Sequence, residues 1–379
     1  MSETIIVRQK RSASAYEIAA GISLPETGRQ SRRILGADTR RIVIVSNRKV
    51  FGLYGNIVSD ALRRSGFDVS VHLIGDGERF KNLRTLEKTL AALSSAGISR
   101  TDAVVGLGGG VVGDVAGFAA SVYLRGVRFI QIPTTLLSMI DSSVGGKTGV
   151  NTAFGKNLVG SFHQPSGVLI DPESLRTLPP REVTAGLCEA VKQAAIAGAK
   201  LFTLTQKTLS DGFFSSDPTA FIAAHIRFKA KIVSGDERED PNRTDAGSRK
   251  ILNFGHTFAH ALEKATEYRY LKHGEAVGYG IIFAAELSKK LELLSADEVK
   301  LLNDVVRCAG RFPRLDKVDP AAIFDSFRFD KKMVNNSLNW VLLKGIGKLV
   351  ITSDQNIPRK AIRETIAKVI EISRISAEE

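Results

Sequence analysis

Apolar positions along this chain of 379 residues follow two regimes that meet near Pro180. Before that point, short apolar runs alternate with helical spacing. Arg41-Ile-Val-Ile-Val45, Asp68-Val-Ser-Val-His-Leu73, the run into Val104-Val-Gly106, Arg128-Phe-Ile-Gln-Ile132 and Gly167-Val-Leu-Ile-Asp171 read as strands. Strands alternating with helices predict an α/β domain built on a parallel sheet. After Leu178-Pro-Pro180 the spacing is helical, around 182–209, 217–235, 255–268, 274–292 and 295–309, with one late extended stretch, Asn339 to Leu343, and a last helix from about Pro358. Asp236 to Ser248 is polar, holds Pro241, Asn242 and Gly247, and reads as an exposed loop. The expected domains are therefore 1–179, α/β, and 180–379, helical.

Three of the predicted strands run into polar loops, at the strand ends where open α/β sheets bind ligands. The first loop is Gly75-Asp-Gly-Glu-Arg-Phe-Lys81. In the second, Gly108, Gly110 and Gly113 satisfy G-x-G-x-x-G, which permits a tight turn and close approach to a pyrophosphate. That motif follows an unusual strand for an ordinary dinucleotide domain, and no acidic residue lies about twenty positions beyond it. Glycines that merely close a βα turn are the plainer reading of the motif alone. The third loop, Pro133 to Asn151, gathers hydroxyls, Asp141, Gly145, Gly146 and Lys147, an anion-binding composition whose spacing is not that of a nucleotide P-loop. Taken together, the three loops mark the first half as nucleotide-binding.

Three of the six histidines fall in Arg249-Lys-Ile-Leu-Asn253-Phe-Gly-His256-Thr-Phe-Ala-His260-Ala-Leu-Glu263 and the following His273-Gly-Glu275-Ala-Val-Gly278. On a helix, His256 and His260 share a face at i, i+4, as zinc ligands do in H-E-x-x-H, but the Glu of that motif is missing. Either a metal or a pair of hydrogen-bonded helix histidines satisfies this spacing. Glu189 and Lys192 lie one helical turn apart among Leu187, Ala190, Val191 and Ala194, so their helix is expected to be buried and its charges to need partners, a metal among the candidates. His72, His163 and His225 stand apart and are read as structural.

Composition narrows the class. The 43% apolar content fills two cores with no membrane-spanning run, and the N-terminal residues lack a signal-peptide pattern. Two cysteines, Cys188 and Cys308, make no disulfide framework, so a cytoplasmic protein is expected. The net charge of +13 is spread over both halves without a nucleic-acid motif, and anionic small ligands account for it as well. Arg32, Arg33, Arg40 and Arg41 read as a solvated face.

Taken in order, Gly-Gly-Gly-Val-Val-Gly-Asp114, Pro-Thr-Thr135, Asp141-Ser-Ser-Val-Gly-Gly-Lys147-Thr-Gly-Val-Asn151, Gly155-Lys156-Asn157, Leu-Asn-Phe-Gly-His256-Thr and His273-Gly-Glu-Ala-Val resemble 3-dehydroquinate synthases from about Val43 to Lys331. The resemblance implies a Rossmann-like NAD-binding α/β domain, an all-α metal- and substrate-binding domain, an active site in the cleft between them, a Zn2+ or Co2+ ion and a homodimer. It assigns the metal to Glu189, His256 and His273, and so pairs His256 with His273 where helical spacing alone pairs it with His260. The substrate groups it implies are Arg125, Asp141, Lys147, Asn157, Lys192, Lys229, Arg249, Asn253, His260 and Lys331, the last preferred to Lys332 because it follows Asp330. NAD contacts would come from Asn47, Asp76, Gly77, Glu78, Arg79, Phe80, Lys81, Gly110, Val111, Val112, Gly113, Asp114, Thr134, Thr135, Asp141, Lys147, Lys156, Ser174, Leu175, Arg176 and Thr177.

The reaction implied converts a sugar acid phosphate, 3-deoxy-D-arabino-heptulosonate 7-phosphate, into 3-dehydroquinate and phosphate with NAD used catalytically, and no nucleic-acid or membrane partner is implied. Two departures from the family pattern stand out: Ala259 where the family usually has Gly, and a longer 236–248 segment. The rival readings are a cyclase acting on another sugar phosphate, a metal-dependent NAD alcohol dehydrogenase and, in a different class, a non-catalytic NAD- or nucleic-acid-binding protein. Asn253 with His260 weighs against the other cyclases, and the lysine-rich loops weigh against the dehydrogenases.

Overall fold

The computed structural model describes residues 2–8, 15–333 and 338–375, with side chains omitted for 328–333 and 375. Its contacts divide the chain into two compact units, 1–178 with 229–238, and 179–228 with 239–379. Helix Pro218–Gly235 contributes to both. No described helix is long and apolar enough to cross a membrane.

The first unit is built on a seven-stranded sheet of β1 (Glu3–Arg8), β2 (Ala15–Ala20), β3 (Arg41–Asn47), β4 (Asp68–Ile74), β5 (Ala103–Gly108), β6 (Arg128–Pro133) and β9 (Gly167–Ile170), in the order β1-β2-β9-β6-β5-β3-β4. All neighbours are parallel except β1 with β2. A separate antiparallel hairpin joins β7 (Lys147–Thr152) to β8 (Gly155–Phe162). The apolar runs have a direct physical cause, since a strand covered on both faces must be apolar at every position. Ile42, Ile44, Val105, Leu107, Ile130 and Ile132 pack to one side with Leu35, Val58 and Leu62 from helices Thr27–Leu35 and Asn56–Arg64. Val43, Val45, Val104 and Phe129 pack to the other with Leu86, Leu93, Val115 and Ala119 from helices Leu83–Ser95 and Gly110–Val122.

Apart from β1 and β2, the order β4-β3-β5-β6-β9 is the 2-1-3-4-5 pattern of doubly wound sheets, whose switch point lies between its first and third strands. This explains the unusual position of the glycine motif: it follows β5, the third strand of that pattern, at the switch point. β1 and β2 were not expected. The signal was present in β2, where Tyr16, Ile18 and Ala20 are buried and Glu17 is not, but the run is short.

Among its described residues the second unit has helices and one hairpin, of β10 (Asn339–Leu343) and β11 (Leu349–Ser353). Helix His273–Lys290 is its core element, packed against helices Pro180–Ala197, His256–Ala265, Ala296–Cys308 and Arg359–Ile375. The helix expected over 182–209 is two helices, broken at Gly198. There φ is +101°, a conformation that favours glycine, and the hairpin turn docks through Gly347 N–H to the Ala195 carbonyl at 2.8 Å. Helix Pro320–Met333 was not anticipated; it carries Lys331, whose side chain lies outside the described residues.

Arg32 corrects the reading of a solvated basic face. Its guanidinium donates to the carbonyls of Ser65 (3.0 Å), Gly36 (2.9 Å) and Thr39 (2.8 Å) and lies 3.6 Å over the Phe67 ring. Arg33, by contrast, makes an exposed pair with Glu17. Charge-assisted bonds to three backbone carbonyls outweigh an exposed ion pair. Arg32→Ala is expected to lower the unfolding free energy by about 2–3 kcal/mol and Arg33→Ala by less than about 1 kcal/mol, in denaturant titrations of both variants.

His225 is fully buried between Gln193 (Nδ1 to Oε1, 3.1 Å) and Thr205 (Nε2 to Oγ1, 3.2 Å), and burial pushes its pKa down to about 3. Below pH 6.5 the unfolded chain gains a proton that the folded chain refuses until about pH 3. Stability from this group is therefore complete above pH 6.5 and falls as pH drops toward 3, at up to about 1.4 kcal/mol per pH unit. His225→Gln is expected to flatten the acid limb of a stability-against-pH curve by that amount; an unchanged slope would show that the imidazole stays protonated in the folded protein.

Candidate functional site

In the first unit, the carboxyl ends of β3, β4, β5, β6 and β9 bring the strand-end loops to one edge of the sheet. Asn47, buried at the end of β3, caps the following turn through Val50 N–H (2.8 Å) and donates to Asp76 (3.0 Å) in the loop after β4. Helix Gly110–Val122 starts directly after β5, and its cap, Gly109, has no side chain to spend on the first turn, so the positive helix end is left for an anion. Bulk is excluded there too. A Cβ on Gly109 would come within 3.0 Å of Thr135 and one on Gly110 within 3.2 Å of Ser142, while Val112 and Gly113 are buried and Val111 is half-buried. Thr134 is buried at the end of β6, and Thr135 bonds Ser138 at 2.8 Å. Beyond β9, the turn Pro172–Thr177 holds Ser174 and Leu175 buried with Arg176 and Thr177 exposed, and Tyr54 donates to the Ser174 carbonyl at 2.8 Å.

The loop after β4 is exposed from Asp76 to Arg79, with Phe80 half-buried, and ends in a buried Lys81. The Lys81 ammonium pairs with Asp114 and donates to Asn157 Oδ1 at 2.5 Å. Burial raises the Asp114 pKa and Lys81 opposes that rise, so the pair survives because each charge compensates the other's desolvation. Lys229, also buried, meets both the carboxylate (2.8 Å) and the carbonyl (2.6 Å) of Asp141. Lys156 is half-buried on the β7–β8 hairpin.

Residues 133–151 do not form the single loop expected of them. Thr134 to Ser142 stay at the ligand edge, but Gly146 bonds His163, whose ring reaches the Val127 carbonyl at 3.0 Å, at the start of β6. Lys147 therefore begins β7 toward the opposite edge, exposed. Arg125 stands at that edge as well, exposed at the C-terminal end of helix Gly110–Val122, in a left-handed turn with φ +67°. Within this unit, neither is brought to the strand-end loops. Sequence proximity suggested otherwise because the glycines that would open an anion loop here turn the chain into β7, with φ +105° at Gly145 and +65° at Gly146.

In the second unit, helix Pro180–Ala197 buries Glu189, 1% exposed, against Lys192, 2% exposed, at 2.6 Å. Glu189 Oε1 lies 3.5 Å from His256 Nε2 and 3.6 Å from His273 Nε2. These distances are long for hydrogen bonds. All three ligand atoms lie within 4.8 Å of one another. Both imidazoles are oriented from behind: the Nδ1 of His256 faces the Phe254 carbonyl at 3.2 Å and that of His273 faces Glu263 Oε2 at 3.3 Å. Burial first, then Lys192 and the two other imidazoles, hold the His256 pKa well below its ordinary value, so its Nε2 keeps a lone pair. His256 and His260 share no ligand group among the described residues, although a second set joins His260, Glu263 and His273. His260 is exposed, its ring 5.5 Å from His256 and 6.1 Å from His273.

Close helix crossings make this convergence possible. A Cβ on Gly274 would lie 2.0 Å from the Ala185 carbonyl oxygen, and one on Gly280 2.0 Å from that of Gly255, so these backbones touch. Arg181 fastens the start of helix His273–Lys290 with two 2.6 Å bonds to the fully buried Glu275. Arg249 is buried in the turn Arg249–Asn253 and Asn253 is exposed beside it. Glu263 is the functional residue the sequence reading left without a role; its spacing to His273 is ten residues across a turn, which no helical period connects.

The chain matches the family model described as 3-dehydroquinate synthase N-terminal over residues 71–185 and the one described as 3-dehydroquinate synthase C-terminal over 186–333. It is 39% identical to the 3-dehydroquinate synthase of a Nostoc species over 93% of this chain and 96% of the relative, and 40% identical to that of a Picosynechococcus species over 89% and 92%. Among solved structures it is similar to a 2-deoxy-scyllo-inosose synthase complexed with carbaglucose-6-phosphate, NAD+ and Co2+ (28% identical, TM-score 0.84, 97% of this chain and 99% of that one). It is also similar to 2-epi-5-epi-valiolone synthase from Streptomyces hygroscopicus with NAD+ and Zn2+ bound (27%, TM-score 0.85, 95% and 98%). A glycerol dehydrogenase from Schizosaccharomyces pombe shares the fold alone, at 16% identity and a TM-score of 0.63 over 93% of this chain and 89% of that one. With both halves of the family pattern matched in order and relatives near 40% identical along about nine-tenths of its length, this chain belongs to the 3-dehydroquinate synthase family.

Proposed function

We propose that the chain performs its family's reaction, turning 3-deoxy-D-arabino-heptulosonate 7-phosphate into 3-dehydroquinate and phosphate, with the metal on Glu189, His256 and His273. The observation that carries this reading is the spacing of those three ligand atoms. Bonds of about 2.0–2.1 Å at tetrahedral angles put ligand atoms about 3.3–3.4 Å apart, and Glu189 Oε1 stands 3.5 and 3.6 Å from the two imidazole nitrogens. Three protein ligands with a fourth position open is the pattern of a catalytic zinc or cobalt site. When bound, the metal supplies Lewis acidity at a substrate oxygen and NAD supplies a hydride acceptor that is restored within each cycle.

The chain's own residues do the rest. Lys192 compensates the buried Glu189 charge, and Glu263 fixes the tautomer and ring angle of His273. His260, exposed beside both imidazoles, is the group for moving a proton at the substrate. The substrate's phosphate and carboxylate call for cations with hydrogen-bond donors beside them. In the helical unit Lys192, Arg249, Asn253 and Lys331 are read in that role, and in the sheet unit Asn157 and Lys229, the latter held in one orientation by Asp141. Arg125 and Lys147 take it on the family resemblance alone, since both stand at the other edge of the sheet. NAD lies along the strand-end loops of residues 1–179, at the switch point between β3 and β5. Residues 180–379 hold the metal and most of the substrate groups. We read the enzyme as a cytoplasmic homodimer: Cys188 and Cys308 are unpaired, and exposed Leu158, Val159 and Phe162 beside Val122 and Leu124 supply apolar surface for a second copy.

Turnover is expected to release many equivalents of phosphate per NAD with no lasting NADH absorbance, and the product to have the mass of 3-dehydroquinate. Stoichiometric NADH would mark a dehydrogenase, and equal turnover of glucose 6-phosphate would mark a different cyclase.

His256→Ala and His273→Ala are expected to lose bound metal and activity together. Glu263→Gln is expected to weaken metal binding by about 10–100-fold. His260→Ala should keep stoichiometric metal and lose about 10²–10⁴-fold in rate. Elemental analysis after dialysis reads all four; a metal-free His260→Ala beside a metal-replete His273→Ala would reverse the assignment.

A further inference from the structure

We infer that Asn151, which none of the roles above includes, is a positioning residue that fixes the tip of the β7–β8 hairpin, and with it Lys156 and Asn157, against the dinucleotide loops. The inference rests on the NAD reading of those loops. β7 and β8 pair in regular register up to Val150, and the register then shifts between Val150 and Thr152, so Asn151 is released from the ladder. The extra residues of this bulge lie on β8, where Lys156, Asn157 and Leu158 face the single Asn151 of β7, and the ladder is interrupted between them. Asn151 instead bridges to Asn82, outside the hairpin, and its N–H donates to the Lys81 carbonyl at 2.8 Å.

Both ends of its side-chain amide are then used on different segments. The carbonyl end accepts from Asn157 N–H at 2.9 Å, and the NH2 end donates to Glu78 Oε1 at 2.7 Å. Asn157 sits at φ +56°, a left-handed conformation that a hydrogen-bonded Asn tolerates and most residues avoid. Its side chain completes the connection by accepting from Lys81, the same ammonium that pairs with Asp114 in the helix behind the glycine turn. A continuous path thus runs from that helix through Lys81 to the hairpin tip, with Asn151 tying the tip to the loop of residues 78–82. Only a side chain carrying one donor and one acceptor closes it, so an Asn is required where an Asp of the same shape fails.

Asn151→Asp tests this, because it replaces the donor facing Glu78 with a carboxylate oxygen 2.7 Å from another. The expected result is NAD binding weakened by about tenfold or more, with the melting temperature close to wild type. Adding Glu78→Gln restores a donor on the opposite side, so the double variant should bind NAD more tightly than Asn151→Asp alone, whatever Glu78→Gln does by itself. A wild-type enzyme that binds no NAD would overturn the underlying reading. Wild type that binds NAD beside an Asn151→Asp variant of equal affinity would overturn the positioning role, as would a weakened or early-melting variant that Glu78→Gln does not rescue.

Discussion

A carboxylate with 1% of its surface exposed is the constraint around which the helical unit is arranged. Burying the Glu189 charge without compensation would cost several kcal/mol. Lys192 answers the charge from one turn along the same helix, and two imidazoles face the other oxygen at distances that leave room for an ion between them. Their Nε2 ring nitrogens are turned inward because the Phe254 carbonyl and the Glu263 carboxylate hold the opposite Nδ1 atoms. The glycines at the helix crossings follow from the same need. Backbones that touch at Gly274 and at Gly255 with Gly280 bring three helices close enough for short side chains to converge, and any Cβ there would push them apart.

The sheet unit solves a different problem with more local means. A doubly wound parallel sheet delivers all its strand ends to one edge, so ligand contacts are spread over several loops and none needs a buried charge of its own. Where the unit buries lysine charges, at Lys81 with Asp114 and at Lys229 with Asp141, each pair also ties neighbouring segments together. Positioning in this unit is therefore electrostatic and hydrogen-bonded, and it depends on short polar side chains such as Asn47, Asn151 and Asn157. In the helical unit it depends on steric contact between helices.

What the sequence determined by itself is the chemistry and its order along the chain. Residues buried on both faces of a sheet leave unbroken apolar runs, which is why β3, β5, β6 and β9 were legible, and the glycine, lysine and histidine motifs carried the family and the candidate ligands. Periodicity reports only on neighbours a few residues apart. It therefore offered His260 as the partner of His256, passed over Glu263, joined residues 133–151 into one loop and ran a helix through Gly198. Tertiary structure decided those points, because the helix crossings that bring His273 to His256, the register shift that frees Asn151 and the docked turn at Gly347 are set by contacts between segments far apart in sequence. The same holds for Arg32: its charge is plain in the sequence, but only the folded chain supplies the three carbonyls that convert a surface cation into a structural one.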